Sequence, residues 1–177
     1  MKNSKLYKTG LLFFRKNNLL LTFFFASLLF CDQFTKHLIL QHSSGSLLFT
    51  KNIFPFFNIV FVLNDGVSFG ILANTGSKNY LIVLTTLLCF VILFFIYKEP
   101  KYIAKVAFCF VLSGALGNLI DRVIFGGVID FLDFFITINQ MQYHWPAFNI
   151  ADSCIFIGVC TLLYYEYLIK KTNRPLL

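Results

Sequence analysis

Residues 80–97 read YLIVLTTLLCFVILFFIY, eighteen positions without a charged group, a glycine or a proline. The hydrocarbon core of a bilayer, ~30 Å thick, takes about 20 such residues as a helix. Three further stretches share the character of this one: 19–40, interrupted by Asp32, Lys36 and His37; 103–120, holding only Lys105; and 147–169, holding Asp152 and Glu166. Hydrophobic residues make up 58% of the 177 and charged residues 13%, against ~45–50% and ~25% in soluble domains. Aromatics at 19% also exclude a disordered chain. The reading is an all-α membrane protein with four transmembrane helices, residues 1–177 forming one integral membrane domain.

The net charge of +7 would raise the question of nucleic acid in a soluble chain. Its placement answers otherwise. Eleven of fifteen basic residues precede the first run (Lys2, Lys5, Lys8, Arg15, Lys16), separate the second from the third (Lys98, Lys101, Lys105) or follow the fourth (Lys170, Lys171, Arg174). By the positive-inside rule both termini are cytoplasmic, and segments 41–79 and 121–146 are extracytoplasmic. Six of eight acids fall toward that outer side. No nucleic-acid partner is expected.

The outer segments do not look like membrane helix. FFNIVFVL at 56–63 is too short to span, follows Pro55, and reads as a strand closed by the turn Asn64-Asp65-Gly66. Residues 126–145 form a second non-helical stretch, so a small extracytoplasmic β-element is expected on the helices. Leu28-Leu29-Phe30-Cys31 superficially suggests a cleavable lipoprotein leader, but Phe30 is too large for the position before the cut. Cys31, Cys89, Cys109, Cys154 and Cys160 show no metal spacing and read as buried hydrophobes.

Ionisable groups at membrane depth are costly, and each is a functional-site candidate. Alternating topology carries Asp32, Asp121, Asp130, Asp133 and Asp152 to the same interface. Asn118/Asp121 and Asn149/Asp152 are each three apart, on one helix face, while Asp32 and Lys36 are spaced for an i,i+4 pair. Gly114 and Gly117 allow close helix approach, and Gly126-Gly127 frees the chain before Asp130. Two carboxylates held close do not both ionise readily; the ionised one can take a proton from water while the protonated one polarises a carbonyl. That chemistry requires no metal or cofactor. His37, His42 and His144 form no zinc motif, and no Gly-x-Ser-x-Gly elbow is present. Spacing leaves the choice among Asp121, Asp130, Asp133 and Asp152 open.

Five blocks in order, DQFTK at 32–36, NDGVSFG at 64–70, GALGNLIDR at 114–122, VIDF at 128–131 and FNIADS at 148–153, resemble the lipoprotein signal peptidases (signal peptidase II), aspartyl proteases of the bacterial cytoplasmic membrane. Val67-Ser68 departs from the two alanines usual in that family. The resemblance implies Asp130 and Asp152 as the catalytic pair, Asn64, Gly66, Asn118, Asp121, Arg122 and Asn149 around the site, and Asp32 and Lys36 as supports. The charge of Arg122 beside Asp121 agrees with giving Asp121 no catalytic part, if the two side chains converge. The resemblance also implies a diacylglyceryl-modified prolipoprotein substrate cut N-terminal to its lipidated cysteine, at the outer face of the inner membrane, with membrane lipid as the other partner and a monomer as the acting species. The competing reading is a small four-helix transporter or binding subunit in which Asp32, Asp121 and Asp152 form a carboxylate relay.

Overall fold

Small residues make one helix the hub. In the computed structural model, which describes residues 2–44, 46, 49–66 and 78–172 and side chains between 18 and 169, four helices are long and apolar enough to cross a membrane. They are α1 (Lys2–Ser43), whose apolar part is Asn18–Ser43, α2 (Lys78–Lys98), α3 (Tyr102–Phe125) and α4 (Ile150–Thr172). In α3, 44% of the apolar window is buried, against 11% in each of the others. Ala104, Ala107, Gly114, Ala115 and Gly117 let neighbouring backbones come close, and α1, α2 and α4 all pack along α3. The outward faces of the other helices, with Phe90, Phe94, Phe156 and Leu163 exposed, suit a lipid environment.

At the end where α1 finishes and α4 begins lies an antiparallel sheet in the order β1 (Thr50–Phe54), β2 (Phe57–Asn64), β3 (Val128–Ile138), β4 (Met141–His144). The strand expected over 56–63 is β2, which starts one residue later because Phe56 lies in the turn from β1. Asn64 closes it with an Asx turn, its Oδ1 accepting from the Gly66 N–H at 3.1 Å. β3 pairs with β2 through Val62↔Asp130 and Asn64↔Val128, and Asn139 and Gln140, both at positive φ, turn the chain into β4. The first four residues of β3 are buried, because the strand is covered by helices there.

Three of the differences between the helix ends and the sequence expectation bear on the site. α1 continues past Leu40 to Ser43. α3 continues past Ile120 to Phe125, since nothing breaks the run until Gly126, whose φ of 86° forms a left-handed cap with its N–H on the Arg122 carbonyl at 3.2 Å. Asp121 and Arg122 therefore lie on a helix and not in the loop expected from 121. α4 starts at Ile150, later than the expected 147, because Pro146 precedes it and Phe148 exchanges backbone hydrogen bonds with Leu132 of β3 at 2.8 and 3.1 Å. Val67-Ser68 lies outside the described residues.

Candidate active site

The site grows from the first turn of α4. Asn149 is the N-cap: its Oδ1 accepts from the Asp152 N–H at 2.9 Å, while Asp152 Oδ2 accepts from the Asn149 N–H at 3.2 Å. This reciprocal box satisfies two backbone donors and gives a physical reason for the Asn-x-x-Asp spacing. A third donor, the Ala151 N–H, goes to Asp32 Oδ1 of α1 at 2.8 Å. Both carboxylates thus sit at the positive end of the α4 dipole.

The same asparagine reaches across to β3. Asn149 Nδ2 donates to Asp130 Oδ1 at 2.7 Å, with the Ile129 carbonyl and Asn118 Oδ1 each at 3.2 Å sharing its second proton. Asn64 Nδ2 donates to the other oxygen, Asp130 Oδ2, at 3.0 Å; it stands opposite Val128, whose side chain shares a face with that of Asp130. On α3, Asn118 Nδ2 donates to Asp152 Oδ1 at 2.8 Å. Three amides therefore hold two carboxylates, one on a strand and one on a helix, in a single frame. Asp130 is 2% exposed. Burial pushes its carboxyl up to about 7, and the nearby Asp152 charge adds to the rise; the Asn64 and Asn149 donors and the Lys36 charge pull the other way without cancelling it.

Beneath this frame is a buried ammonium. Lys36 Nζ meets Asp32 Oδ2 at 2.9 Å, Asp121 Oδ2 at 2.9 Å and Asn118 Oδ1 at 3.0 Å, one acceptor for each of its protons. Asp121 Oδ2 also accepts from the Ile129 N–H at 3.1 Å, fixing the start of β3. Gly117 is required by close approach: a Cβ there would come within 2.5 Å of Asp32 Oδ2.

The family model for signal peptidase (SPase) II matches residues 24–168, a span that contains every group above. The chain belongs to the signal peptidase II family. The lipoprotein signal peptidase of Syntrophotalea carbinolica is 43% identical over 141 residues, covering 77% of this chain and 83% of that one. That of Alteromonas mediterranea is 39% identical over 154 residues, covering 85% and 81%, and that of Borrelia hermsii 38% over 154, covering 84% and 90%. Among solved structures, a bacterial membrane enzyme superposes with a TM-score of 0.75 at 29% identity, covering 89% of this chain and 93% of its own. Membership in this family makes the chain a peptidase, and with four spanning helices it is a multi-pass protein of the bacterial inner membrane. The transporter reading is not supported.

Within this signal peptidase II chain, nine of the ten residues singled out from sequence meet in the connected frame or its support, and Gly66 joins through Arg122, whose Nη2 donates to the Gly66 carbonyl at 3.2 Å. Arg122 Nη1 lies 3.4 Å from the Asn118 carbonyl. Two expectations need correction. Asp133 does not join the other four acids: it accepts from Asn58 Nδ2 at 2.9 Å and pairs with His144 Nδ1 at 2.8 Å. Asp130 and Asp133 are an odd number of residues apart on β3, so their side chains take opposite faces. The charge in direct contact with Asp121 is that of Lys36, while Arg122, which sequence adjacency suggested, acts on it only through space, because consecutive helix positions point apart. Sequence reasoning missed Gln33, whose Nε2 lies 3.0 Å from Asp121 Oδ1 and 3.2 Å from both Asp32 Oδ2 and the Gly117 carbonyl. A polar amide beside an intramembrane Asp was the available signal.

Proposed function

We propose that this chain removes the signal peptide from diacylglyceryl-modified prolipoproteins by aspartic catalysis, with Asp130 and Asp152 as the pair and the cut N-terminal to the lipidated cysteine. The observation that carries the mechanism is the frame of Asn64, Asn118 and Asn149, which holds these two carboxylates and no others. An Asp130 carboxyl pushed up to about 7 lets the pair keep one proton, and the donors from Asn118 and the Asn149 N–H hold the Asp152 oxygens in place beside it. In the forward step the ionised carboxylate takes a proton from water as the water oxygen attacks the scissile carbonyl. The protonated carboxyl donates to the developing oxyanion, and the amine leaves with a proton returned from the pair. Which member starts as acid is a property of the coupled pair.

Lys36 holds Asp32 and Asp121 as positioning residues: Asp32 anchors the α4 turn that carries Asp152, and Asp121 anchors the β3 turn that carries Asp130. Arg122 and Gly66 close one side of the site. With both termini cytoplasmic, as the lysine distribution supports, the site opens at the outer interface. There a signal-peptide helix and two acyl chains can arrive laterally from lipid while the scissile bond meets water. The acting species in this reading is a monomer, as the family resemblance implies.

The test is cleavage of a diacylglyceryl-modified precursor by the purified protein, read as a gel shift. Asp130→Asn and Asp152→Asn should each abolish it in folded, membrane-inserted protein, while Asp133→Asn should stay within a few-fold of wild type and excess chelator should have no effect. An inactive Asp133→Asn beside an active Asp130→Asn would overturn the assignment, and loss of cleavage in chelator with recovery on adding metal would overturn the mechanism.

A further inference from the structure

α1 and α2 each pack along α3 but, among the described residues, scarcely touch one another. Between them, toward the end remote from the carboxylate pair, is a cleft of about 560 Å³. Its walls are apolar, with Leu21, Phe25, Leu93 and Leu112 among them, and its mouth carries Asn18, Thr22, Tyr97 and Lys105. Such a space does not hold water in an ordered way, having too few polar partners along its depth. Its size falls in the ~300–1,000 Å³ range of pockets that enclose an apolar ligand.

We propose that this cleft binds one acyl chain of an anionic phospholipid from the leaflet remote from the acids, with the phosphate at Lys105. The length fits. Lys105 and Leu116 both line the cleft, and the eleven residues between them on α3 rise ~16 Å, about one leaflet of a ~30 Å hydrocarbon core. The charge fits as well. Lys98 and Lys101 flank Lys105 at this end, the Lys98 ammonium lying 5.8 Å over the Phe94 and Tyr97 rings. The same lysines oppose the other apolar occupant at hand, a signal-peptide helix, whose leading end is itself basic.

The experiment is native mass spectrometry of the full-length protein in mild detergent, titrated with phosphatidylglycerol or with phosphatidylcholine of the same acyl chains. Wild type should retain one phosphatidylglycerol at roughly tenfold lower concentration than phosphatidylcholine. Lys105→Gln should remove that preference and leave phosphatidylcholine retention unchanged. Thr22→Trp, at an exposed position whose hydroxyl bonds only its own helix at the Asn18 carbonyl, should fill the mouth and weaken both lipids about tenfold. Both variants should still cleave precursor, because Lys105 is thirteen residues and ~20 Å along α3 from Asn118; this activity reports that each has folded. Equal retention of the two lipids by wild type, unchanged retention in Thr22→Trp, or displacement of the lipid by the lipidated precursor would each overturn the proposal.

Discussion

Replacing Lys36 with methionine keeps the length and apolar stem of the side chain and removes only the ammonium. The residue is 2% exposed, and its three acceptors are Asp32, Asp121 and Asn118. Without it two buried carboxylates face each other with no neutralising charge, and breaking a buried ionic group in this way costs ~3–5 kcal/mol. Asp32→Asn should cost less, because Lys36 keeps Asp121 as a one-to-one partner and Asn can still accept from the Ala151 N–H. A pair-only view would expect the double variant Asp32→Asn/Lys36→Met to recover most of the loss. The third member changes that: Asp121 remains buried and unneutralised, so recovery should be partial, with a coupling of about 1–3 kcal/mol.

The assay is thermal unfolding in detergent. For a chain of this size each kcal/mol shifts Tm by ~2–4 °C, so Lys36→Met should unfold some 6–20 °C below wild type and Asp32→Asn at an intermediate temperature. Turnover should fall along with stability, since Asp32 and Asp121 hold the turns bearing the proposed catalytic pair. Additive losses, within about 0.5 kcal/mol, would refute the reasoning, because they would mean that Lys36 and Asp32 do not interact.

Three more outcomes follow from the same geometry. Because the folded-state carboxyl of Asp130 is raised to about 7, its contribution to stability is fully present below the ordinary carboxylate range near 4 and lost as pH rises toward 7; Asp130→Asn should flatten that part of a Tm-versus-pH curve, and wild-type kcat/KM should fall above about pH 7 as the shared proton leaves. Gly117→Ala should lower both Tm and turnover, because its methyl would displace Asp32 Oδ2 from a 2.5 Å approach; a wild-type Tm would show that α1 can shift freely. Asn149→Ser should keep the helix cap but lose the bond to Asp130, giving a turnover loss far larger than its stability loss, while Asn149→Ala should lose about 1 kcal/mol more; unchanged turnover in the serine variant, measured by gel shift, would remove Asn149 from the catalytic frame.

What the sequence made legible was periodic or local. Uninterrupted apolar runs marked the four helices, the run after Pro55 marked β2, and the four-residue spacing of Asp32 and Lys36 marked their pair. Contacts set by strand register or by distant helix pairing were not visible. The sheet decides that Asp130 turns toward Asn64 and Asn149 while Asp133 turns toward Asn58 and His144, and no spacing rule distinguishes them before the β2–β3 register is known. Likewise the Lys36–Asp121 pair joins residues on two helices far apart in sequence, where arginine adjacency gave a misleading cue. The extent of α3 was underestimated because an acid and an arginine near the membrane boundary look like a helix end, whereas here both are tied into the fold, Asp121 to Lys36 and Arg122 to the Gly66 carbonyl.

Asn149 explains why the fold and the proposed chemistry cannot be separated in this chain. Its backbone and Oδ1 start α4, and its Nδ2 holds the carboxylate on β3. The first turn of α4 is therefore complete only when Asp152 is placed, and the same side chain draws Asp130 toward it. The Asp32 carboxylate takes the next free donor of that turn and is itself fixed by Lys36, which also holds Asp121 and through it the start of β3. Two elements that carry the acids are thus tied to α1 and α3 by one ammonium below and one amide above. A pair held this rigidly in a partly dehydrated setting costs little reorganisation when charge moves between its members, which is what proton exchange with a single water requires.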